Sequence, residues 1–295
     1  GVKYLVMDYR IDFIDVETKR GLLLRTLMWK PEHKTDTIVI LMSGICSNIF
    51  QNKLLETTGT TLAKNGYAYI CGQAMDAYTL FNYSNLKTNK QEQKGVLFDD
   101  FDVVYEDIDA YVNYAKELGY KNIILAGHSL GSNKIIHYLS ISRDAAIKFF
   151  IVSGAVDLAK FQDVPLKETY IKMAKQFVRE NRGDEILPYL IVGFSPMSAN
   201  TVLKFYNNKS LKNCPVFSHD GDFDALSKIS VKGAFIVGDK DSCAGENPYE
   251  FIKELNSHTQ FSEQNKLIVL ENSGHIFHDK HNEYADTILN LVKNM

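Results

Sequence analysis

A serine hydroxyl is too weakly acidic to attack a carbonyl unaided. It needs an imidazole to take its proton, and the imidazole needs an acceptor to fix its tautomer. The sequence holds one serine in a setting that suits such work. Ser129 lies in Gly127-His128-Ser129-Leu130-Gly131, a G-x-S-x-G pattern. Asn122 to Ala126 before it is a short apolar run with two adjacent isoleucines, as in a buried strand. Ile135, Ile136 and Leu139 behind it recur at helical spacing. Strand, five-residue turn and helix would present the hydroxyl on a sharp, strained turn. The glycines leave room where side chains would collide with the neighbouring strand and helix. The Leu130 amide would then sit at a helix N-terminus, where an oxyanion is favoured.

Candidates for the other two roles follow in the order Ser, Asp, His. Asp239 and Asp241 both sit in the turn after an apolar run that ends at Gly238, and one of them can serve as the acid while the other caps the next helix. His275 follows the last apolar run. All three positions fall beyond the carboxyl ends of strands, where sites in open α/β sheets gather. His128 is expected to pack beneath the turn, and His278 to lead toward the final helix. His33, His137, His219, His258 and His281 have no constellation around them. Ser43-Gly44-Ile45-Cys46 follows the third strand. Gly44 allows a sharp turn there, and the Ile45 amide would be the second oxyanion donor. Cys46 has no His/Asn context for a thiol nucleophile and reads as a small packing residue. Asp99, Asp100 and Asp102 read as helix-start charge and not as a metal cluster.

These positions require a particular order of elements. Tyr9 to Val16 and Gly21 to Trp29 read as an antiparallel hairpin at a sheet edge. Thr37 to Met42, Tyr67 to Gly72, Lys148 to Ser153, Val231 to Gly238 and Lys266 to Leu270 read as further buried strands. Helices are expected over Asn52 to Asn65, Asp99 to Leu118, Pro248 to Leu255 and His281 to Lys293. Gln73 to Gly95, aromatic but without period, reads as a surface loop. After Val156 the alternation stops. Leu166, Tyr170, Met173, Ala174 and Phe177 mark an amphipathic helix, with further helical pieces near Asp184 to Ile191 and Asn200 to Tyr206. The division expected is a core of residues 1–156 and 216–295, interrupted by a helical cap over 157–215.

With these pieces in place the chain resembles the α/β-hydrolase superfamily. FIVGDKDSC resembles the G-x-x-D turn that carries the family's acid, which favours Asp241 over Asp239. ENSGHIF resembles its small-residue-Gly-His turn. The likeness covers nearly the whole chain in element order, except the cap. Many relatives have His-Gly where this chain has Ser43-Gly44, so the usual mark of the second oxyanion donor is missing. A fainter likeness, of layout only, is to the serine esterase group that includes siderophore esterases. The resemblance implies a three-layer α/β fold with a mostly parallel sheet of about eight strands. It implies a serine esterase with the triad Ser129, Asp241 and His275, acting on a small-molecule ester without metal or organic cofactor. Thioester or amide cleavage, acyl transfer to an alcohol, and a non-catalytic binding protein are the alternatives. Haloalkane dehalogenase chemistry is disfavoured, because those relatives carry Asp at the position of Ser129. Tyr170, Met173 and Phe177 of the cap are candidate substrate contacts; sealing the cap onto the core is their other reading.

The bulk properties agree. A chain of 295 residues with 45% hydrophobic content can bury a full core. A net charge of −3 points to neither nucleic acid nor an anionic membrane surface. No apolar run is long enough to span a membrane, and the first residues lack signal-peptide architecture. Cys46, Cys71, Cys214 and Cys243 are widely spaced, without a C-x-x-C pair or zinc spacing, as expected of free thiols in a reducing, cytoplasmic compartment. The sequence does not distinguish a monomer from a homodimer.

Overall fold

The structure is a computed structural model that describes residues 8–158, 163–191, 194–207 and 223–295. Cys214, His219 and the end of the expected cap lie outside these residues. Ten strands are described: β1 Tyr9–Glu17, β2 Leu23–Pro31, β3 Thr37–Met42, β4 Ala68–Gly72, β5 Phe81–Asn85, β6 Lys90–Lys94, β7 Asn122–His128, β8 Ile147–Ser153, β9 Gly233–Gly238 and β10 Lys266–Leu270. The helices are α1 Lys53–Lys64, α2 Val104–Glu117, α3 Leu130–Ile141, α4 Lys167–Arg179, α5 Ala199–Asn207, the single turn α6 Asp224–Ser227, α7 Pro248–Ser257 and α8 His281–Lys293.

Eight strands form one sheet in the order β1-β2-β4-β3-β7-β8-β9-β10, and β2 alone runs against the others. Both faces are covered, so the central strands are apolar on both sides: all five residues of Ile38–Met42 are buried. One face packs Ile40, Ile70, Leu125 and Val152 against α2 and α3 residues such as Ile108, Ile135 and Ile136. The other packs Val39, Tyr69, Ile124 and Ile236 against Leu54 and Leu62 of α1 and Tyr284 and Ile288 of α8. The chain moves outward from β3 to β4 and then returns to β7 on the other side. That reversal creates a crevice at the carboxyl ends of β3 and β7.

Local signals fix the helix ends. Asn52 Oδ1 accepts the Leu54 amide at 3.1 Å to start α1, and Gly66 follows its end at φ 89°. Asn247 Oδ1 accepts the Glu250 amide at 3.2 Å, and Pro248 begins α7.

Three expected elements are corrected. Gln73 to Gly95 contains a hairpin, β5 with β6. Its strands carry polar residues on both faces (KQEQK in β6), which hides the period of two. The turn is set by Asn85 Oδ1, which accepts the Lys87 and Thr88 amides at 2.9 and 3.1 Å, and by Asn89 at φ 54°. The helix expected from Asp99 begins at Val104. Asp100 Oδ1 takes the Asp102 amide at 3.1 Å and winds Phe101–Val103 into a tighter 3-10 turn, so Asp99, Asp100 and Asp102 precede the helix. Asp184 to Ile191 is not helical. Pro188 has no amide to give, and the segment pairs in isolated bridges, Ile186 with Ser198 and Ile191 with Ser195.

Between β8 and β9, α4 and α5 build a separate apolar cluster. Tyr170, Ala174, Leu187, Ile191, Met197, Val202 and Tyr206 close on Val96. No described helix is long and apolar enough to cross a membrane.

Candidate active site

Ser129 stands between the end of β7 and the start of α3, at φ 57° and ψ −132°. This is strained backbone for a residue with a Cβ. Neighbouring close approaches hold it. A Cβ at Gly131 would run into the Met42 carbonyl of β3, and one at Gly127 into the Gly131 backbone. The Ser129 amide donates to Ser153 O at 3.0 Å, which ties the turn to β8. Ser132 Oγ lies 2.8 Å from the carbonyls of both Gly127 and Ser153.

His275 and Asp241 reach the same point from the loops after β10 and β9. Ser129 Oγ is 2.7 Å from His275 Nε2. His275 Nδ1 is 2.9 and 3.0 Å from the two Asp241 carboxylate oxygens. A carboxylate only accepts, so Nδ1 carries a proton whatever the charge of the ring, and in the neutral ring Nε2 is open to the serine hydroxyl. Asp241 is buried, and its Oδ1 also accepts the Cys243 amide at 2.8 Å. Burial disfavours the His275 imidazolium, but the hydrogen bond to Asp241 and its negative charge, with Cys243 close by, outweigh it and hold its pKa up to about 10. The same partners stabilise the positive ring that forms when it takes a serine proton.

Asp239 has a different place. Its Oδ1 accepts the Ser273 amide at 2.9 Å and braces the turn that carries His275. His128 packs under the site, 1% exposed, and donates from Nε2 to the His275 carbonyl at 2.9 Å. Burial and the neighbouring His275 charge push its pKa down to about 4, so it is a neutral brace.

The loop after β3 lies directly against the serine: a Cβ on Gly44 would sit 2.8 Å from Ser129 Cβ. Among the described residues no hydrogen bond occupies the Ile45 or Leu130 amide. Both are therefore open donors on the walls of the cavity that contains Ser129.

That cavity has a volume of about 690 Å³. Its apolar walls include Ile45, Leu130, Val156, Leu158, Met197 and Phe205. Lys53, Lys204, His278 and His281 also line it, as does Asp99, whose carboxyl is pushed up to about 8 by burial and by the charge of Asp76. The expectation for Tyr170, Met173 and Phe177 is corrected, because none of them lines it. The apolar face of α4 packs inward on Ala199, Val202 and Tyr206. The Phe177 ring carries the Arg182 guanidinium, 4.1 Å from its centroid. Of the expected cap residues, Phe194 and Met197, with α5, face the cavity instead.

The sequence reading missed one supporting pair. Lys134, on α3, pairs with Asp76, and the two side chains are 3% and 1% exposed. The Asp76 carbonyl accepts the Cys46 amide at 2.8 Å. The pair thus joins the helix behind Ser129 to the loop that carries the Ile45 amide. No periodic signal marks Lys134, which sits in a helix judged by its apolar neighbours. Breaking a buried ion pair by removing one partner costs about 3–5 kcal/mol. Asp76→Ala is therefore expected to lower the unfolding free energy by about that much in urea titration; a change under about 0.5 kcal/mol would show that the pair is idle.

Sheet order, crevice and the strained turn at Ser129 define a protein of the α/β-hydrolase fold, and solved structures share it along 95–97% of the chain. DcsB, in complex with its substrate analogue, superposes with a TM-score of 0.72 at 14% identity, covering 97% of this chain and 99% of its own. Est1E from Butyrivibrio proteoclasticus gives 0.63 at 16% identity, covering 96% and 98%. The esterase domain of a Rhodothermus marinus protein gives 0.57 at 14% identity, covering 95% and 96%. More particularly, residues 29–289 match the family described as "Protein of unknown function (DUF1749)", and the chain belongs to it. Among curated proteins, none matches the sequence.

Proposed function

We propose that this protein is a serine hydrolase that cleaves a carboxylic ester of a small molecule through an acyl-enzyme. The carrying observation is the continuous relay from Ser129 Oγ to His275 Nε2 at 2.7 Å and from His275 Nδ1 to Asp241 at 2.9 Å. In this reading Ser129 attacks the ester carbonyl while His275 takes its proton. The Leu130 and Ile45 amides hold the oxyanion. His275 then returns the proton to the departing alcohol, and water, activated by the same ring, releases the acid. Every step is supplied by side chains and amides of this chain, so the mechanism calls on no metal or organic cofactor. The esterases among its structural neighbours agree with this choice of reaction.

Residues 157–215 form a cap over a core of 1–156 and 216–295 in this reading. Support comes from the separate apolar cluster of α4 and α5 and from the share that Met197 and Phe205 take in the cavity wall. The apolar wall suits an apolar acyl or alcohol group.

The test pairs fluorophosphonate labelling with p-nitrophenyl esters of increasing chain length. Labelling of Ser129 with ester turnover is expected; absence of both removes the reading. Phe205→Ala enlarges the cavity and should change the ratio of kcat/KM between long and short esters severalfold. Phe177→Ala should lower stability and leave that ratio within about twofold, since this partly buried ring packs against the α4–α5 cluster and truncating it acts through packing. A ratio that moves only in Phe177→Ala would reverse the two assignments.

A further inference from the structure

We propose that Asp241, Cys243 and His275 form a site for a thiophilic divalent cation, with zinc and cadmium as the matching class, and that its occupation switches the candidate active site off. One carboxylate oxygen, the Cys243 sulfur and one His275 nitrogen lie within 4.8 Å of one another. Zinc bound by such donors needs about 2.0–2.2 Å to oxygen or nitrogen and about 2.3 Å to sulfur, which sets donors roughly 3–4 Å apart. The Asp241 and His275 donors already stand 2.9 and 3.0 Å apart. A cation takes the place of the proton once the hydrogen bond opens by about half an ångström and the carboxylate turns off the Nδ1–H axis, so that the three donors converge on the ion. Carboxylate, imidazole and thiolate together select zinc-like ions over magnesium or calcium, which prefer oxygen alone.

Access and support are in place. Cys243 and His275 both line the cavity, so a hydrated ion reaches the cluster from the substrate side. The Asp241 carboxylate is held by the Cys243 amide, and the turn that carries His275 is braced by Asp239. Binding releases the Cys243 thiol proton to solvent, the single proton of the neutral His275 ring moves from Nδ1 to Nε2, and water completes four-coordination.

The consequence for turnover rests on the hydrolase reading; the binding itself does not. With the metal on Nδ1, the one proton of a neutral imidazole is left on Nε2. The ring then faces Ser129 as a donor and cannot take its proton. Asp241 is consumed as a ligand at the same time.

Two readouts separate the two claims. Binding is read with cadmium ion as the absorbance of the thiolate-to-cadmium charge-transfer band, on the whole chain after chelator treatment. Inhibition is read with zinc ion on p-nitrophenyl acetate turnover, each variant scaled to its own rate in chelator. One cadmium per chain with a thiolate band is expected. Cys243→Ser and Cys243→Ala should weaken binding and inhibition by about ten- to a hundredfold. Cys46→Ser, which removes the second thiol that lines the cavity among the described residues, should leave both as in the wild type. A band of equal affinity in both Cys243 variants, or no band in the wild type, overturns the site. A Cys243-dependent band with turnover unaffected by zinc overturns the switch and leaves the site. If no ester is turned over at all, the band still decides the binding claim, and the failure belongs to the hydrolase reading.

Discussion

Ser129→Ala is expected to lower kcat for a reactive ester by about six orders of magnitude, to the level left by binding and the oxyanion donors alone. Among the described residues, no other hydroxyl or thiol lining the cavity has both a base and an acid behind it. The hydroxyl's one side-chain hydrogen bond among the described residues is to His275, so its loss costs the fold little. Alanine keeps a Cβ, and the backbone strain at φ 57° is the same with either residue. The variant should therefore melt within a few degrees of the wild type while fluorophosphonate labelling disappears. Undiminished labelling would place the nucleophile elsewhere. Cys46 is then the first residue to test, since its sulfur also lines the cavity, 3.2 Å from Thr79 Oγ1.

Much of this arrangement was legible because the elements that carry it have one strong period each. Thr37–Met42 is a buried strand, Lys266–Leu270 an apolar edge strand and His281–Lys293 a one-faced helix, and their limits follow from the sequence to the residue. Ser129 and His275 were marked by the small residues beside them, which a tight turn demands. Elements with polar faces were not legible in this way. The β5–β6 hairpin buries only Tyr83 and Asn85, so no alternation of apolar residues shows through. The start of α2 was misplaced because aspartates serve a 3-10 turn as readily as a helix start. The cavity wall was misassigned for another reason. Hydrophobic spacing identifies the buried face of α4 but not what it is buried against; Tyr170 meets α5, while Phe205 of α5 meets the cavity. Lys134 and Asp76 left no trace at all, since each reads alone as a surface charge.

The choice between two aspartates gives the second large effect. Asp241→Asn is expected to lower kcat by about four orders of magnitude, with the fold retained. The geometry dictates the mechanism of the loss. The Cys243 amide needs an acceptor at the Oδ1 position, 2.8 Å away, so the asparagine oxygen stays there. Its amide NH2 then occupies the Oδ2 position, 3.0 Å from His275 Nδ1. The ring then keeps only the Oδ1 oxygen, 2.9 Å away and already shared with the Cys243 amide, loses the anionic charge and faces a new donor, which favours the tautomer with the proton on Nε2, where the ring offers Ser129 no acceptor. Asp239→Asn should behave differently. Asparagine still presents an oxygen to the Ser273 amide, 2.9 Å from the present carboxylate, and no ring nitrogen depends on that group. Its expected cost is less than about tenfold, arising from a slight loosening of the turn around His275. Single-turnover rates on the same ester, with circular dichroism to establish folding, compare the two. If Asp239→Asn proves the more damaging, the acid of the relay moves to Asp239, and the 2.9 Å contact between Asp241 and His275 becomes a structural brace.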